Sequence, residues 1–145
     1  MYRHILIPTD GSLLSAKAVE HGVMLAKTCG ATVSLMTVTE PFHVFSLDAD
    51  QLEDTPSDYK RHMKERATRA LAEAAIVAGA AGVSFDKILA DDNQPYQAIV
   101  RTADAKRCDL IVMASHGRRG VSALLLGSET MKALTHSKIP VLVVR

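Results

Sequence analysis

The chain has 145 residues, which suits one domain and is too short for two ordinary ones. Hydrophobic residues make up 48% and charged residues 23%, values that are ordinary for a folded globular protein and argue against disorder. Lys and Arg number 17 against 16 Asp and Glu, and only 4% of the residues are aromatic, so a nucleic-acid surface is disfavoured. We therefore predict a single domain over residues 1–145 and no nucleic-acid partner.

The apolar runs and the cysteines indicate in which cellular compartment the protein resides. The apolar runs are far shorter than the ~20 residues that span a bilayer. Pro8 and Asp10 interrupt the first apolar run, so the start does not resemble a signal peptide. Cys29 and Cys108 form no Cys-x-x-Cys motif and are typical of reduced thiols. These features predict a cytoplasmic protein that has no membrane partner.

Five short runs rich in Ile, Val and Leu alternate with segments of helical periodicity. The runs show little polar alternation, which is typical of strands buried on both faces. Such an alternation predicts an α/β fold with a parallel sheet, helices on both faces and a crevice at the carboxyl ends of the strands. The predicted strands are 4–7, 32–38, 85–90, 110–114 and 141–144, and the predicted helices are 15–28, 60–78, 96–106 and 128–135. Gly30 and Gly82 are placed to end the first two helices.

The segment 40–57 interrupts this alternation. It contains Pro41, Pro56, three Asp and two Phe, and it joins the second strand to the second helix. We predict a loop with at most a short helical turn. Long loops in compact domains are often functional, but an ordinary surface insertion explains the segment equally well, and both interpretations stay open.

The most informative loop follows the fourth strand and contains Gly117, Arg118 and Gly120 before Gly127-Ser128 begins a helix. Glycines let the backbone approach a ligand closely, and free N–H groups at a helix start bind phosphate oxygens. Ser128 is the predicted N-cap, and Arg118 or Arg119 could add positive charge. A tight loop with a capped helix and solvated arginines is the alternative.

A second candidate loop, Pro8-Thr9-Asp10-Gly11-Ser12, follows the first strand. Asp10 could accept hydrogen bonds from ribose hydroxyls or a base, or it could cap the turn or the first helix. Strands one and four are usual neighbours where such a sheet reverses its order. We therefore expect the Asp10 loop and the Gly117 loop to face each other across one crevice.

Together, these motifs give the whole chain a resemblance to the universal stress protein family. Gly117 is followed after nine residues by Gly127-Ser128, as in the nucleotide-binding members, although Ala114 replaces the first glycine of that pattern. The resemblance implies a Rossmann-like fold of the adenine nucleotide alpha-hydrolase type, with strand order 3-2-1-4-5. It also implies ATP, with Mg²⁺ or Mn²⁺ carried on the phosphates, and a homodimer that pairs through strand Val141–Val144.

Carried over position by position, the resemblance implies three parts of a nucleotide site. Asp10 corresponds to the acidic residue on the ribose or adenine side, and Val38 to the residue whose backbone reads the adenine edge. The Gly127-Ser128 pair corresponds to phosphate-binding backbone. The full set of implied binding residues is Pro8, Thr9, Asp10, Val38, Met113, Ala114, His116, Gly117, Arg118, Gly120, Gly127, Ser128, Glu129 and Thr130.

Three functions remain open from the sequence. The first is a stress-response module that binds ATP or a related adenine nucleotide, and the second is a family member that binds no nucleotide and acts through protein contacts. The third is a weak ATPase, which is disfavoured because the chain lacks a Gly-Lys-Ser phosphate loop and a placed general base. No catalytic residue and no dedicated metal site is predicted, and Asp91-Asp92 is interpreted as a solvated turn.

Overall fold

A computed structural model describes residues 1–42, 55–118 and 125–145. Five parallel strands form one sheet in the order β3-β2-β1-β4-β5, which confirms the predicted α/β architecture. In chain order the elements are β1 His4–Pro8, α1 Leu13–Cys29, β2 Thr32–Thr39, α2 Pro56–Ala80, β3 Phe85–Asp91, α3 Pro95–Ala105, β4 Leu110–Ala114, α4 Ser128–His136 and β5 Val141–Val144.

Two apolar clusters cover the two faces of the sheet. On one face α1 and α2 pack over fully buried side chains such as Ile5, Ile7 and Val112. On the other, α3 and α4 pack over Leu6 and Ile111. Neighbouring residues of β1 and β4 thus alternate between the two clusters, as the period of two along a strand requires. The predicted helices on both faces are confirmed.

The prediction that every strand is buried on both faces is wrong for β5, where Leu142 is exposed, and for β3. Its side chains alternate between exposed and half-buried along the whole strand, and Lys87 lies at an exposed position. The cause is its place in the sheet, because β2 is the one strand in the described part of the chain that pairs with β3, which makes β3 an edge strand. Asp86 and Lys87 in the predicted run were a signal of this exposure.

Helix ends follow local sequence as expected. Ser12 is the N-cap of α1, and its hydroxyl accepts a hydrogen bond from the Ser15 N–H. Gly30 ends α1 with φ of 68°, and Gly82, with φ of 73°, follows the last residues of α2. Both glycines adopt the left-handed conformation that other residues resist. The predicted C-cap is confirmed for Gly30 and is off by one residue for α2, where Ala81 is the C-cap and Gly82 follows it. Within the described ranges, no helix has both the length and the apolar character that a membrane crossing requires.

Candidate functional site

The sheet reverses its order between β1 and β4, which are neighbours in the sheet. The two loops that leave their carboxyl ends, residues 9–12 and 115–118, therefore start side by side. The contact between Asp10 and Arg118 joins them directly. This confirms that the Asp10 loop and the Gly117 loop lie together, at the point where an open parallel sheet forms its ligand crevice.

Thr9 fixes the start of the first loop. Its N–H donates to the Met36 carbonyl, and its own carbonyl accepts from the Thr37 hydroxyl at 2.8 Å. Its hydroxyl lies 3.0 Å from the Ser15 hydroxyl. The side chain is buried, and Pro8 before it is half-buried in β1. Thr9 and Pro8 thus shape the floor of the crevice, and the polar groups of Thr9 are already engaged.

Asp10 makes contacts on both of its carboxylate oxygens. Oδ1 accepts from the Ser12 N–H at 2.9 Å, which closes an Asx turn before α1. Oδ2 accepts from the Arg118 N–H at 2.8 Å, and the Arg118 Nε donates to the Asp10 carbonyl at 2.9 Å. The interpretation that Asp10 caps the turn before α1 is therefore confirmed, and its contact with ribose or a base stays a prediction.

Burial alone raises the pKa of the Asp10 carboxyl, but the hydrogen bonds from Ser12 and Arg118 outweigh it and hold the pKa below its ordinary value of 3.8. Asp10 should therefore stabilise the fold above about pH 4, a contribution that is lost as the pH falls through the lowered value. We expect wild type to be more stable than Asp10→Asn at pH 7, and the difference to shrink by pH 3. Urea unfolding at both pH values measures it, and a constant difference would contradict the prediction.

Two of the nucleotide-binding residues that the resemblance implied, Met113 and Ala114, lie in β4. They contribute their backbone to the crevice more than their side chains. Met113 and Ala114 are buried in the sheet, one toward each apolar cluster. Ala114 has the ordinary extended conformation of β4, so its Cβ fits where the family pattern has glycine. Ser115 and His116 then begin the loop, with the Ser115 hydroxyl 3.3 Å from His116 Nδ1. His116 is thus held in the turn.

The predicted N-cap of α4 is wrong by one residue: Gly127 takes that position and Ser128 is the first helical residue. The Gly127 N–H donates to the Ser115 carbonyl at 2.7 Å. An added Cβ at Gly127 would lie 3.1 Å from His116 Cα. The Gly127 backbone therefore makes its close approach to the loop after β4, and this contact requires glycine. As a result Gly127, and not Ser128, is the N-cap.

The start of α4 leaves main-chain donors available. The first bond of the helix runs from the Met131 N–H to the Gly127 carbonyl, so the N–H groups of Ser128, Glu129 and Thr130 precede it. Among the described residues, no side chain caps them and no backbone carbonyl accepts from them. Three unpaired N–H groups therefore mark this helix start, beside the carboxyl end of β4.

The side chains of Glu129 and Thr130 in this first turn make hydrogen bonds to other elements of the fold. The Glu129 carboxylate accepts from the Tyr96 N–H at 2.7 Å and so caps α3, a role that sequence reasoning missed. The Thr130 hydroxyl donates to the Ala114 carbonyl at 2.9 Å and is buried. Only the backbone of Glu129 and Thr130 thus remains for a ligand. Pro95, the first residue of α3, was the sequence signal that a helix starts here. The first N–H groups of such a helix need an acceptor.

Val38 lies at the far side of the crevice. Met36 directs its carbonyl to the Thr9 N–H on β1, and Thr39 directs its carbonyl to the Asp92 N–H beside β3. Backbone groups alternate sides along a strand, so the N–H and C=O of Val38 face the β1 side, beyond the end of β1. This places polar backbone at the crevice, as the resemblance implied.

Asp91 and Asp92 are engaged in the turn after β3. Asp91 accepts from the Thr39 hydroxyl at 2.8 Å, and Asp92 accepts from the Gln94 N–H and pairs with Arg101. In the part of the chain that the structure describes, no three His, Cys, Asp or Glu side chains come together to hold a metal ion. Arg119 and Gly120 lie outside the described residues, as does most of the segment 40–57.

Comparison with known proteins identifies the fold's family. The model of the universal stress protein family matches residues 1–145. The chain belongs to the universal stress protein family. Universal stress protein MJ0531 of Methanocaldococcus jannaschii is 32% identical over the whole chain and 83% of its own length. Universal stress protein YxiE of Bacillus subtilis is 31% identical, with full coverage of both chains.

Solved structures of universal stress proteins agree with this fold. The structure of MJ0577 from Methanocaldococcus jannaschii has 28% identity and a TM-score of 0.79, covering 99% of this chain and 96% of its own. A universal stress protein solved in complex with cAMP has 30% identity and a TM-score of 0.74, covering 99% and 97%. Both likenesses extend over the strands and loops described above.

Proposed function

We propose that this universal stress protein is a cytoplasmic stress-response module that binds ATP or a related adenine nucleotide at the carboxyl ends of β1 and β4. The observation that carries the proposal is the row of unpaired N–H groups on Ser128, Glu129 and Thr130 at the start of α4. Such a row, at the positive end of the helix dipole, suits phosphate oxygens. A relative of 30% identity holds cAMP, which supports an adenine nucleotide.

The rest of the crevice suits the other parts of a nucleotide. The Val38 backbone is placed to read an adenine edge, and Asp10 lies between it and the loop after β4. The Gly127 N–H is engaged with Ser115, so we assign phosphate binding to the three donors after it. Mg²⁺ or Mn²⁺ would sit on the phosphates, which suits hard cations that keep most of their water.

Released nucleotide tests this proposal directly. We expect purified protein, denatured and filtered, to release an adenine nucleotide detectable by mass spectrometry. Titration calorimetry with MgATP on nucleotide-free protein should then give saturable heat, while MgGTP serves as the control. If no nucleotide is released and millimolar MgATP gives no binding heat, the proposal fails. The function through protein contacts alone would then be favoured.

We further propose that two copies pair through β5, Val141–Val144. Among the described strands it pairs with β4 alone, so its outer edge offers backbone groups that no described strand pairs. Leu142 on it is 42% exposed, a large apolar side chain on an open edge. Edge strands with these features readily pair with another strand.

A charge at position 142 should prevent this pairing. We expect Leu142→Lys to shift a wild-type dimer to monomer in analytical ultracentrifugation, because a buried charge opposes strand pairing. Ile76→Lys on α2 is the control, since Ile76 is 71% exposed and α2 packs against β2 and β3. A Leu142→Lys protein that remains dimeric would place the interface elsewhere, and a monomeric wild type would end the pairing proposal.

A further inference from the structure

Asp10 joins two loops that are far apart in sequence. Its Oδ2 accepts from the Arg118 N–H, and its carbonyl accepts from the Arg118 Nε, across 108 positions of the chain. We name this pair of hydrogen bonds the Asp10–Arg118 link. It fixes both the peptide group and the guanidinium of Arg118, because two bonds to one residue leave little freedom to rotate.

Gly117 shows how closely the link packs. An added Cβ at Gly117 would lie 2.5 Å from Asp10 Oδ2, closer than real Cβ atoms approach other atoms. The carboxylate therefore lies directly against the Gly117 backbone. A glycine here serves the contact with Asp10, whatever else it does for a ligand.

The turn 115–118, which Asp10 holds, also contacts the start of α4. The Ser115 carbonyl accepts from the Gly127 N–H at 2.7 Å, and the Gly127 backbone packs against His116. A continuous set of contacts thus runs from Asp10 through the turn 115–118 to the N–H groups of Ser128 and its neighbours. The position of those donors depends on the turn, and the position of the turn depends on Asp10.

We propose that Asp10 is a positioning residue for the phosphate end of the site, acting through the Asp10–Arg118 link, and this inference rests on the proposed function. A carboxylate repels phosphate, so it cannot itself be the phosphate ligand. Its two oxygens already accept backbone N–H groups from Ser12 and Arg118. Its effect on phosphate affinity is therefore indirect, through the geometry of the loop.

Asp10→Asn separates positioning from contact with the ribose. The amide keeps one acceptor oxygen, so it can serve the Ser12 N–H or the Arg118 N–H but not both. Calorimetry with adenosine, AMP and MgATP should show a loss that grows with the number of phosphates. We expect about 10-fold or more for MgATP, as for hydrogen bonds to charged groups, and under about 3-fold for adenosine. An equal loss for adenosine and MgATP would overturn the proposal and assign Asp10 to the ribose.

A ligand-free readout keeps the link testable without a nucleotide. We expect Asp10→Ala, which has no side-chain acceptor, to speed hydrogen exchange at the Arg118 amide by about 10-fold or more, measured by NMR, because that amide loses its acceptor. Arg118→Ala keeps the main-chain bond and should change the exchange far less. Unchanged exchange in Asp10→Ala overturns the link. If wild type binds no nucleotide, the proposed function fails and the exchange experiment still decides the link.

Gly117→Ala provides a second variant that leaves the carboxylate in place. Its Cβ would push Asp10 Oδ2 away from the turn, so it should reproduce the phosphate-graded loss of affinity. If Asp10→Asn proves too unstable to titrate, this variant decides the outcome. Normal affinity for MgATP in folded Gly117→Ala would overturn the positioning role.

Discussion

Valine at position 22 should destabilise the fold by about 3 kcal/mol, the upper end of the usual cost of overpacking a core. Gly22 lies in α1 where the helix crosses the centre of the sheet. An added Cβ would lie 2.4 Å from Ile7 Cδ1 and 3.4 Å from Val112 Cβ. Ile7 is fully buried, so its side chain cannot turn aside without displacing other core residues. Urea unfolding monitored by circular dichroism measures the loss.

Two alanine variants, Gly22→Ala and Gly79→Ala, test the same packing argument by comparison. Alanine is favoured over glycine in a helix by about 1 kcal/mol, so an added Cβ stabilises wherever space exists. Gly79 in α2 has no other heavy atom within 4 Å of an added Cβ, and we expect Gly79→Ala to gain about 0.5–1 kcal/mol. Gly22→Ala should instead lose about 1–2 kcal/mol, because the contact with Ile7 exceeds the helical gain. Equal gains in both variants would refute the packing argument.

The strands of the centre of the sheet were predictable because burial determines their composition. The run 110–114 contains only apolar residues and matches β4 residue for residue. Both apolar clusters take residues from it, so no polar residue is tolerated. At the edge this constraint relaxes. β3 carries Lys87 at an exposed position and Asp86 at a half-buried one, and a search for apolar runs alone does not weigh these two charges as the sign of an exposed face.

The candidate site was predictable in its loops but not in its contacts. The positions of Asp10 and Gly117 after strands one and four were sufficient to bring the loops together. Which donor meets which acceptor depends on distances of a few tenths of an ångström between residues 108 positions apart. The sequence alone therefore left Asp10 with two open roles, and it assigned the cap of α4 to Ser128 rather than to Gly127.

The same limit of the sequence applies to the contacts of Gly127. A glycine before a helix is compatible with close approach to a ligand or to another loop. Only the contact with His116 and the bond to Ser115 show that the loop occupies that space. The donors available for phosphate are then the next three residues, which no glycine marks in the sequence.

Proline at position 128 should weaken MgATP binding without harming the fold. Ser128 is the first residue of α4, a position where proline is well accepted because its N–H has no helical acceptor. Gly127 before it has φ of −62° and ψ of 154°, the extended conformation that proline favours in its predecessor. The substitution therefore removes one main-chain donor and little else.

We expect the dissociation constant for MgATP to rise by about 10- to 100-fold in Ser128→Pro, the range for a hydrogen bond to a charged group. Ser128→Ala removes the same hydroxyl but keeps the N–H, so it should bind within a few-fold of wild type. Both variants should unfold within about 1 kcal/mol of wild type, because Ser128 does not cap the helix. If calorimetry gives the two variants equal affinity, the Ser128 N–H does not bind phosphate, and phosphate binding at the start of α4 would rest on the N–H groups of Glu129 and Thr130 alone.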